Sequence, residues 1–276
     1  MEVLSRAPDR DSCGVKTRPR MAVFAPPAPL AANIELTSMS RWKAFSLHLL
    51  LSVVLISGIA LAALLTWYPH GLYRISGLDR LMVVMMCIDI AAGPLLTLLV
   101  YRKGKASLRF DLAVIALVQA AFLAYGLHTL WQSRPVFLVA SDIRMNLVFA
   151  SEISDEELAR ASRAEWRRLS WTGPQLVGVL PPTDRRQRQT LLGALMNSGR
   201  EHVQLPAHYV PFQTVQPLML RSSLPYGEPD ASGIAPYRSI PVSSRFGDAW
   251  MLVHPSTGEP RKVLLHRVEP DSNLGT

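Results

Sequence analysis

The residue whose type and position most clearly point to a chemical role is Asp89, a carboxylic acid inside the apolar stretch Leu81–Tyr101. An ionisable side chain at the centre of a membrane-spanning helix costs about 2.5–3.5 kcal/mol on insertion scales. Such a side chain therefore faces the interior of a helix bundle rather than lipid. Gln119 lies at a similar depth in another apolar stretch, and it is the partner that we expect for Asp89.

Three further residues give this stretch a defined local structure. Pro94 has no N–H, so the carbonyl of Ile90 loses its helical partner and a kink is expected there. Gly93 allows close approach of another helix, and Thr97 follows one turn later. Asp89 then has three possible roles: fixing helix packing, binding a helix of a partner protein, or relaying protons. The third role lacks the chain of further intramembrane acids that it needs.

The rest of the sequence offers little that points to catalysis. It contains no HExxH, CxxC, GxGxxG, Walker-type loop or GxSxG. His202 and His208 lie beside Glu201, but Pro206 interrupts any helix there, so ordinary histidines are favoured over a metal site. An integral-membrane enzyme using Asp89 and a histidine would lack a visible nucleophile and oxyanion donors. We therefore expect neither an enzyme nor a cofactor.

An arginine cluster is the other group of side chains that could bind a partner. Arg185, Arg186 and Arg188 lie within four positions of one another. They are typical of the solvated start of a helix, and a partner-binding patch is the alternative.

Three apolar stretches must position these residues. They are Phe45–Trp67, Leu81–Tyr101 and Leu112–Ser133, and each exceeds the ~18 residues that separate a membrane span from a buried core helix. Backbone amides cannot stay unpaired in lipid, so all three are predicted to be transmembrane helices. Residues 39–134 thus form a predicted three-span domain in contact with membrane lipid.

The charge pattern predicts the orientation of these spans. Basic residues are concentrated before the first span and in the loop Arg102–Arg109. Because positive loops stay on the cytoplasmic side, the N-terminus is predicted inside and residues 135–276 outside, which in a bacterium is the periplasm. The net charge of +8 then mostly reports membrane topology, and no nucleic-acid partner is implied. Two cysteines in 276 residues exclude a disulfide-stapled fold.

Residues 135–276 are predicted to form one α+β domain. Ser154 and Glu157 have the spacing of a capping box, which predicts a helix to about Leu169. Asp184 and Gly199 have the positions of an N-cap and a C-terminal stop for a second helix. Residues 200–245 predict loops with short strands. Strands are predicted at Val136–Ala140, Asn146–Ala150, Gln175–Leu180, Trp250–His254 and Lys262–His266.

Residues 1–38 stand apart from the rest of the chain. They contain the low-complexity piece APPAPLAA and show no periodicity, which predicts an extended or disordered segment. Met39 lies directly before the first span, so we expect it to be the natural start and the preceding residues to be a mis-assigned extension.

Several segments together resemble the type IV pilin accessory proteins of the TfpX/TfpZ family. The most specific is DIAAGPLLTLLVY at Asp89–Tyr101, with its D-x-x-x-G-P-L-L-T pattern. The likeness extends over roughly Met39 to Gly199 and is weaker beyond. The other segments are MSRWKAFSLHLL (Met39–Leu50), WYP (Trp67–Pro69), SLRFDLAVIALVQ (Ser107–Gln119) and RPVFLVA (Arg134–Ala140).

The resemblance implies an inner-membrane protein that aids type IV pilus assembly by binding or stabilising pilin before it joins the fibre. The motif of the family matches this chain at Asp89, Gly93, Pro94 and Thr97, but the resemblance does not assign a role to these residues. A membrane-anchored sensor or ligand-binding module is the competing interpretation. It would need a partner to signal through, because the predicted inside segments are only a short tail and a loop.

Overall fold

Three long helices make up the first half of the computed structural model, which describes residues 40–227 and 236–266. They are α1 (Arg41–Trp67), α2 (Leu78–Val100) and α3 (Leu108–Gln132). All three are long and apolar enough to cross a membrane, so this part of the prediction is confirmed. The predicted N-terminal extension lies outside the described residues.

The outward faces of these helices are apolar rather than polar. Leu65 of α1, Leu99 of α2 and Leu117 of α3 are each more than 70 % exposed. A helix that is apolar all round is typical of a hydrocarbon environment, because in water it would expose a large apolar surface to solvent. The composition and the exposed faces both indicate membrane association.

Helix α2 is the central helix and packs against both α1 and α3. At the α2–α3 contact, a Cβ atom on Gly126 would lie 3.1 Å from Met85, so this glycine permits the close approach. The buried face of α2 repeats every three or four residues, as one face of a helix must. Its members are Leu78, Met82, Met85, Asp89, Gly93 and Thr97.

The second half of the chain builds one mixed eight-stranded sheet. The strand order is β4-β3-β1-β2-β6-β7-β8, and β5 pairs with β6 off this path. Strands β1 and β2 are antiparallel, whereas β1 with β3 and β2 with β6 are parallel. The strands are β1 (Pro135–Ala140), β2 (Met145–Phe149), β3 (Gln175–Val179), β4 (Tyr209–Pro211), β5 (Leu224–Tyr226), β6 (Tyr237–Ser244), β7 (Gly247–Val253) and β8 (Pro260–Leu264).

Three helices accompany the sheet: α4 (Asp155–Ala159), α5 (Arg185–Ser198) and α6 (Phe212–Ser222). Helix α5 has the predicted ends, because the Asp184 side chain accepts a hydrogen bond from the Gln187 N–H at 2.6 Å and Gly199 adopts the left-handed conformation. Helix α6 lies where loops and short strands were expected. A mixed sheet with helices agrees with the predicted α+β class.

The predicted helix from Ser154 to Leu169 is wrong in length. Helix α4 ends at Ala159, and the Ser154 side chain makes no capping bond. Trp166 is buried instead, in a short 3-10 turn (Ala164–Arg167), with its ring 6.2 Å from that of Tyr209. Burying the indole turns the chain away from the helical path, so tertiary packing overrides the local capping signal.

Strand β1 carries the core of the sheet because both of its faces are covered. Alternate side chains point to opposite faces of a strand. Phe137 and Val139 pack with Trp166 and Tyr209 on one face. Leu138 and Ala140 face the other way, into a cluster that continues through the sheet to the ends of the long helices. The sheet therefore rests directly on the helices.

Arg134 joins the end of α3 to the sheet. It is only 4 % exposed, and its guanidinium lies 3.6 Å from the ring centroid of Trp131. Its Nη1 donates to the Trp131 carbonyl at 2.6 Å, and its Nε donates to the Ser170 carbonyl at 3.2 Å. One side chain thus ties the helix end to the loop before β3.

The same loop is held from the other side by tryptophans. Trp67 Nε1 donates to the Trp171 carbonyl at 2.8 Å, and the Trp131 ring packs between the other two indoles at 5.7 and 4.8 Å. Tryptophan is the residue expected at the level where a helix leaves the hydrocarbon layer.

We expect Arg134→Ala to destabilise the protein strongly. The change removes the side-chain donors to the Trp131 and Ser170 carbonyls and the stacking on Trp131, at a cost of about 2–4 kcal/mol. In detergent the Tm should fall by roughly 5–10 °C. Arg160→Ala is the matched control, because Arg160 is exposed and makes one 3.4 Å ion pair with Glu157. An equal fall in both variants would remove the special role of Arg134.

Candidate functional site: a polar cluster among the apolar helices

The polar cluster begins with an irregular turn in α2. Residues Cys87–Ala92 form a π-helical turn directly before Gly93 and Pro94. The Gly93 N–H bonds to the carbonyl of Ile88, five residues back, instead of to Asp89. The irregularity expected at Pro94 thus takes the form of a π turn, a feature that is frequent at functional sites.

The π turn leaves the Asp89 carbonyl without its ordinary partner. The Gly93 N–H is already used by Ile88, and Pro94 has no N–H to offer. Gln119 of α3 fills the gap, because its Nε2 donates to the Asp89 carbonyl oxygen at 3.4 Å. An unpaired carbonyl at membrane depth would cost several kcal/mol, so this contact matters to the helix itself.

The predicted pairing of Gln119 with Asp89 therefore needs a correction of detail. Gln119 bonds to the main chain of Asp89 and not to its carboxylate. Sequence reasoning found the two residues by their depth, but the carbonyl freed by a π turn leaves no signal in the spacing of side chains.

Gly93 is needed for this contact. A Cβ atom at position 93 would lie 1.8 Å from Gln119 Nε2 and 2.4 Å from Gln119 Cδ. Only a residue without a side chain leaves room for the amide against the backbone of α2. The close approach predicted at Gly93 is thus that of a side chain on α3.

Thr97 connects the cluster to α1. Its hydroxyl donates to the Gly93 carbonyl at 3.1 Å, and His48 Nδ1 lies 2.7 Å from the same hydroxyl oxygen. A threonine hydroxyl has one proton, so it can donate to only one of these two partners at a time. The direction of the His48–Thr97 bond depends on the tautomer of the imidazole. His48 and Thr97 lie on different helices, so sequence spacing did not pair them and this contact was missed.

The Asp89 carboxylate is the one acid in the cluster. Asp89 is 6 % exposed, which confirms that it faces the bundle interior. Among the described residues, no hydrogen bond or ion pair reaches its side-chain oxygens. A buried carboxylate without a donor is unfavourable, and a donor or a cation supplied from outside would relieve it.

The three long helices hold these polar side chains together in one cluster. It presents an acceptor in an apolar setting, held in place by residues of α1 and α3. Within residues 40–227 and 236–266, no set of three or more His, Cys, Asp and Glu side chains is grouped to hold a metal ion. The structure brings together Asp89, Gly93, Pro94, Thr97 and Gln119, and their functional role stays a prediction.

The histidine pair of the sheet domain is a second polar group. His202 and His208 have ring centroids 5.2 Å apart. Burial, together with the nearby His208, lowers the pKa of His202, so that ring is neutral at pH 7. The two rings pack against each other edge to face, and no third His, Cys, Asp or Glu of the described residues is grouped with them to hold a metal ion.

Three curated proteins of Dichelobacter nodosus are similar in sequence to this chain. It is 28 % identical over 139 residues to "Fimbrial assembly protein, serogroup I", and likewise to the serogroup E1 protein of the same name. These alignments cover 50 % of this chain and 54 % of each relative. The chain thus spans about half the length of these curated relatives.

The third relative is matched over more of its own length. "Fimbrial assembly protein, serogroups C1 and C2" is 27 % identical over 121 residues, covering 43 % of this chain and 92 % of that protein. No family model and no solved structure matches the chain.

Proposed function

We propose that this protein is a membrane accessory factor in the assembly of type IV fimbriae, acting by binding a fimbrial subunit rather than by catalysis. The observation that carries the proposal is the similarity to three proteins named fimbrial assembly proteins. The narrower kinship with the TfpX/TfpZ pilin accessory proteins is part of the proposal, and it rests on the D-x-x-x-G-P-L-L-T pattern that begins at Asp89.

The proposed contact with the subunit lies inside the membrane. A subunit waiting for assembly would be held there by an apolar helix. Helix α3 offers such a helix a long uncovered face, since Leu117, Phe122 and Tyr125 are each at least 50 % exposed. The Asp89 carboxylate lacks a donor among the described residues, which favours a partner that brings one.

The sheet domain supplies the second part of the proposed contact. Because Arg134 and the tryptophans tie it to the helix ends, the domain is held in a fixed position relative to the helices. One subunit can then touch both parts at once, and two linked contacts raise avidity even when each is weak. This arrangement requires residues 135–276 in the periplasm and α1–α3 in the inner membrane, as the charge pattern predicts.

The proposal is tested by removing the gene from the native host and counting surface fimbriae. We expect fimbriae to be lost or strongly reduced, and re-expression of residues 39–276 to restore them. The subunit should still be synthesised, because the protein acts after translation. Normal fimbriation in the deletion strain would contradict the proposal.

A further inference from the structure

An apolar cavity lies between α5 and the sheet, apart from the polar cluster in the long helices. Its volume is about 430 Å³. Leu191 and Leu192 of α5 form one wall, and Ile143, Val179 and Leu180 form the other. A cavity of this size and composition is large enough for two or three apolar side chains.

Two hydrogen-bond donors in the cavity wall have no partner among the described residues. Asn146 is only 7 % exposed, and its Nδ2 is buried without an acceptor. Arg200 Nη1 is likewise buried without an acceptor. Both residues line the cavity. Buried hydrogen-bond donors almost always have an acceptor in folded proteins. Two donors without an acceptor on the wall of one cavity therefore point to an acceptor that a ligand brings.

The charge around the cavity indicates what that acceptor is. The cavity wall holds two arginines, Arg144 and Arg200, and two acids, Asp142 and Glu201. Among the described residues, Arg200 forms an ion pair with neither acid. Arg185, Arg186 and Arg188 at the start of α5 lie outside this wall and also form no ion pair with a described acid. A guanidinium and an amide N–H on the wall of one cavity suit a carboxylate better than a neutral carbonyl. The ligand therefore combines apolar groups with a carboxylate.

The position of the cavity rules out a lipid of the bilayer. Strand β1 starts directly after Arg134 at the helix ends, and β3 runs parallel to it. The cavity lies beyond the other ends of both strands, where Ile143 and Leu180 are found. Five or six residues of strand place it about 20 Å along the sheet from the helices.

The surface around the cavity is too extended for a small molecule. The apolar face of α5 continues outward from it, with Leu192 58 %, Leu195 44 % and Met196 78 % exposed. No residue of α5 is among the buried core residues of the described chain, although the helix is well capped at both ends. A helix formed by local signals but left uncovered fits a segment of another protein better than a compact metabolite.

We propose that this cavity binds a peptide segment of a partner protein in which apolar side chains flank an acidic residue. The apolar side chains occupy the space beneath α5, and the carboxylate accepts from Arg200 Nη1 and Asn146 Nδ2. This second site does not depend on the intramembrane cluster, nor on whether the partner is a fimbrial subunit.

The test uses the full-length protein in detergent and an array of octapeptides. Each peptide has apolar residues around a central Glu and is paired with a copy in which that Glu is Gln. We expect the protein to prefer the Glu members at least fivefold, and Arg200→Gln to abolish the preference. Arg188→Gln is the matched control: it removes the same charge from an exposed residue that does not line the cavity.

Two results would overturn the proposal. One is an array in which no Glu member is preferred over its Gln copy, and the other is an equal loss of preference in Arg188→Gln and Arg200→Gln. A melting measurement separates binding from folding. Asn146→Leu removes an unsatisfied buried donor, so the variant should lose the preference without a lower Tm. A fall of several degrees in the Tm of Asn146→Leu would mean that Asn146 stabilises the fold, which would contradict the proposal.

Discussion

Asp89→Asn is expected to reduce recovery of the fimbrial subunit with this protein at least about tenfold, while the protein itself stays in the membrane. The substitution keeps the shape of the side chain and replaces the carboxyl group with an amide that cannot ionise. A hydrogen bond to a charged group contributes about 1.5–3 kcal/mol, and 1.4 kcal/mol corresponds to a factor of ten in binding. Asp89→Ala should show the same loss. The measurement is the amount of subunit that co-purifies from native membranes.

The melting temperature decides between a binding role and a packing role for Asp89. Because its carboxylate has no donor among the described residues, Asn should leave the Tm unchanged or higher. A lower Tm together with the loss of subunit would mean that Asp89 serves helix packing. Asp79→Asn is the control, since Asp79 is exposed near the start of the same helix. Unchanged subunit recovery in Asp89→Asn would remove the binding role altogether.

Gly93→Ala is expected to destabilise the helix bundle by about 1–3 kcal/mol. The new methyl group would take the position of the Gln119 amide, which would swing away and leave the Asp89 carbonyl unpaired. In detergent the Tm should fall by roughly 3–10 °C. The matched control is Gly58→Ala in α1, where a Cβ atom would meet nothing within 4 Å. That variant should be neutral or slightly more stable, because alanine is the better helix former.

A double-mutant cycle shows whether the destabilisation by Gly93→Ala comes from the contact between Gly93 and Gln119. Gln119→Ala alone also removes the donor to the Asp89 carbonyl, and it opens the space beside Gly93. Adding Gly93→Ala to Gln119→Ala should therefore cost little more, so the two effects should fail to add by at least about 0.5 kcal/mol. Fully additive losses would contradict the close contact between Gly93 and Gln119.

The long helices could be predicted because their signal is local. A run of apolar residues long enough to cross the hydrocarbon layer specifies a helix by itself, whatever it packs against. Each helix begins three or four residues before the predicted start: α1 at Arg41, α2 at Leu78 and α3 at Leu108. The first turn of each holds charged residues, which a count of apolar positions leaves out.

In the sheet domain, the elements with strong local end signals were predicted best. Asp184 and Gly199 fix both ends of α5 through their own side-chain and backbone properties. Helix α6 has Phe212, Val215 and Met219 on its buried face at helical spacing, but Pro217 inside it argues against a helix. Its stability comes from burying that face against the sheet, which no local pattern reports.

The structure brings together the five positions marked from the sequence, but neither His48 nor the bonds within the cluster were predicted. Asp89, Gly93, Pro94 and Thr97 lie along one side of α2 over about two turns, and sequence spacing is sufficient to say so. Which atom Gln119 reaches depends on the π turn and on the packing of α3, both of which are tertiary outcomes. The orphaned donors of Asn146 and Arg200 are of the same kind, since they are 54 positions apart and meet only at the cavity.

The most direct test of the proposed subunit binding inside the membrane is photo-crosslinking from position 117 in membranes of the native host. Leu117 is 71 % exposed on the uncovered face of α3 proposed to contact the subunit, and Leu65 on α1 is a control position with 75 % exposure. We expect a crosslinking amino acid at 117 to capture the major fimbrial subunit, and Asp89→Asn to abolish that adduct while the 65 position captures much less. Absence of the subunit adduct at 117, in a protein correctly inserted and with the subunit present, would contradict the proposed intramembrane binding.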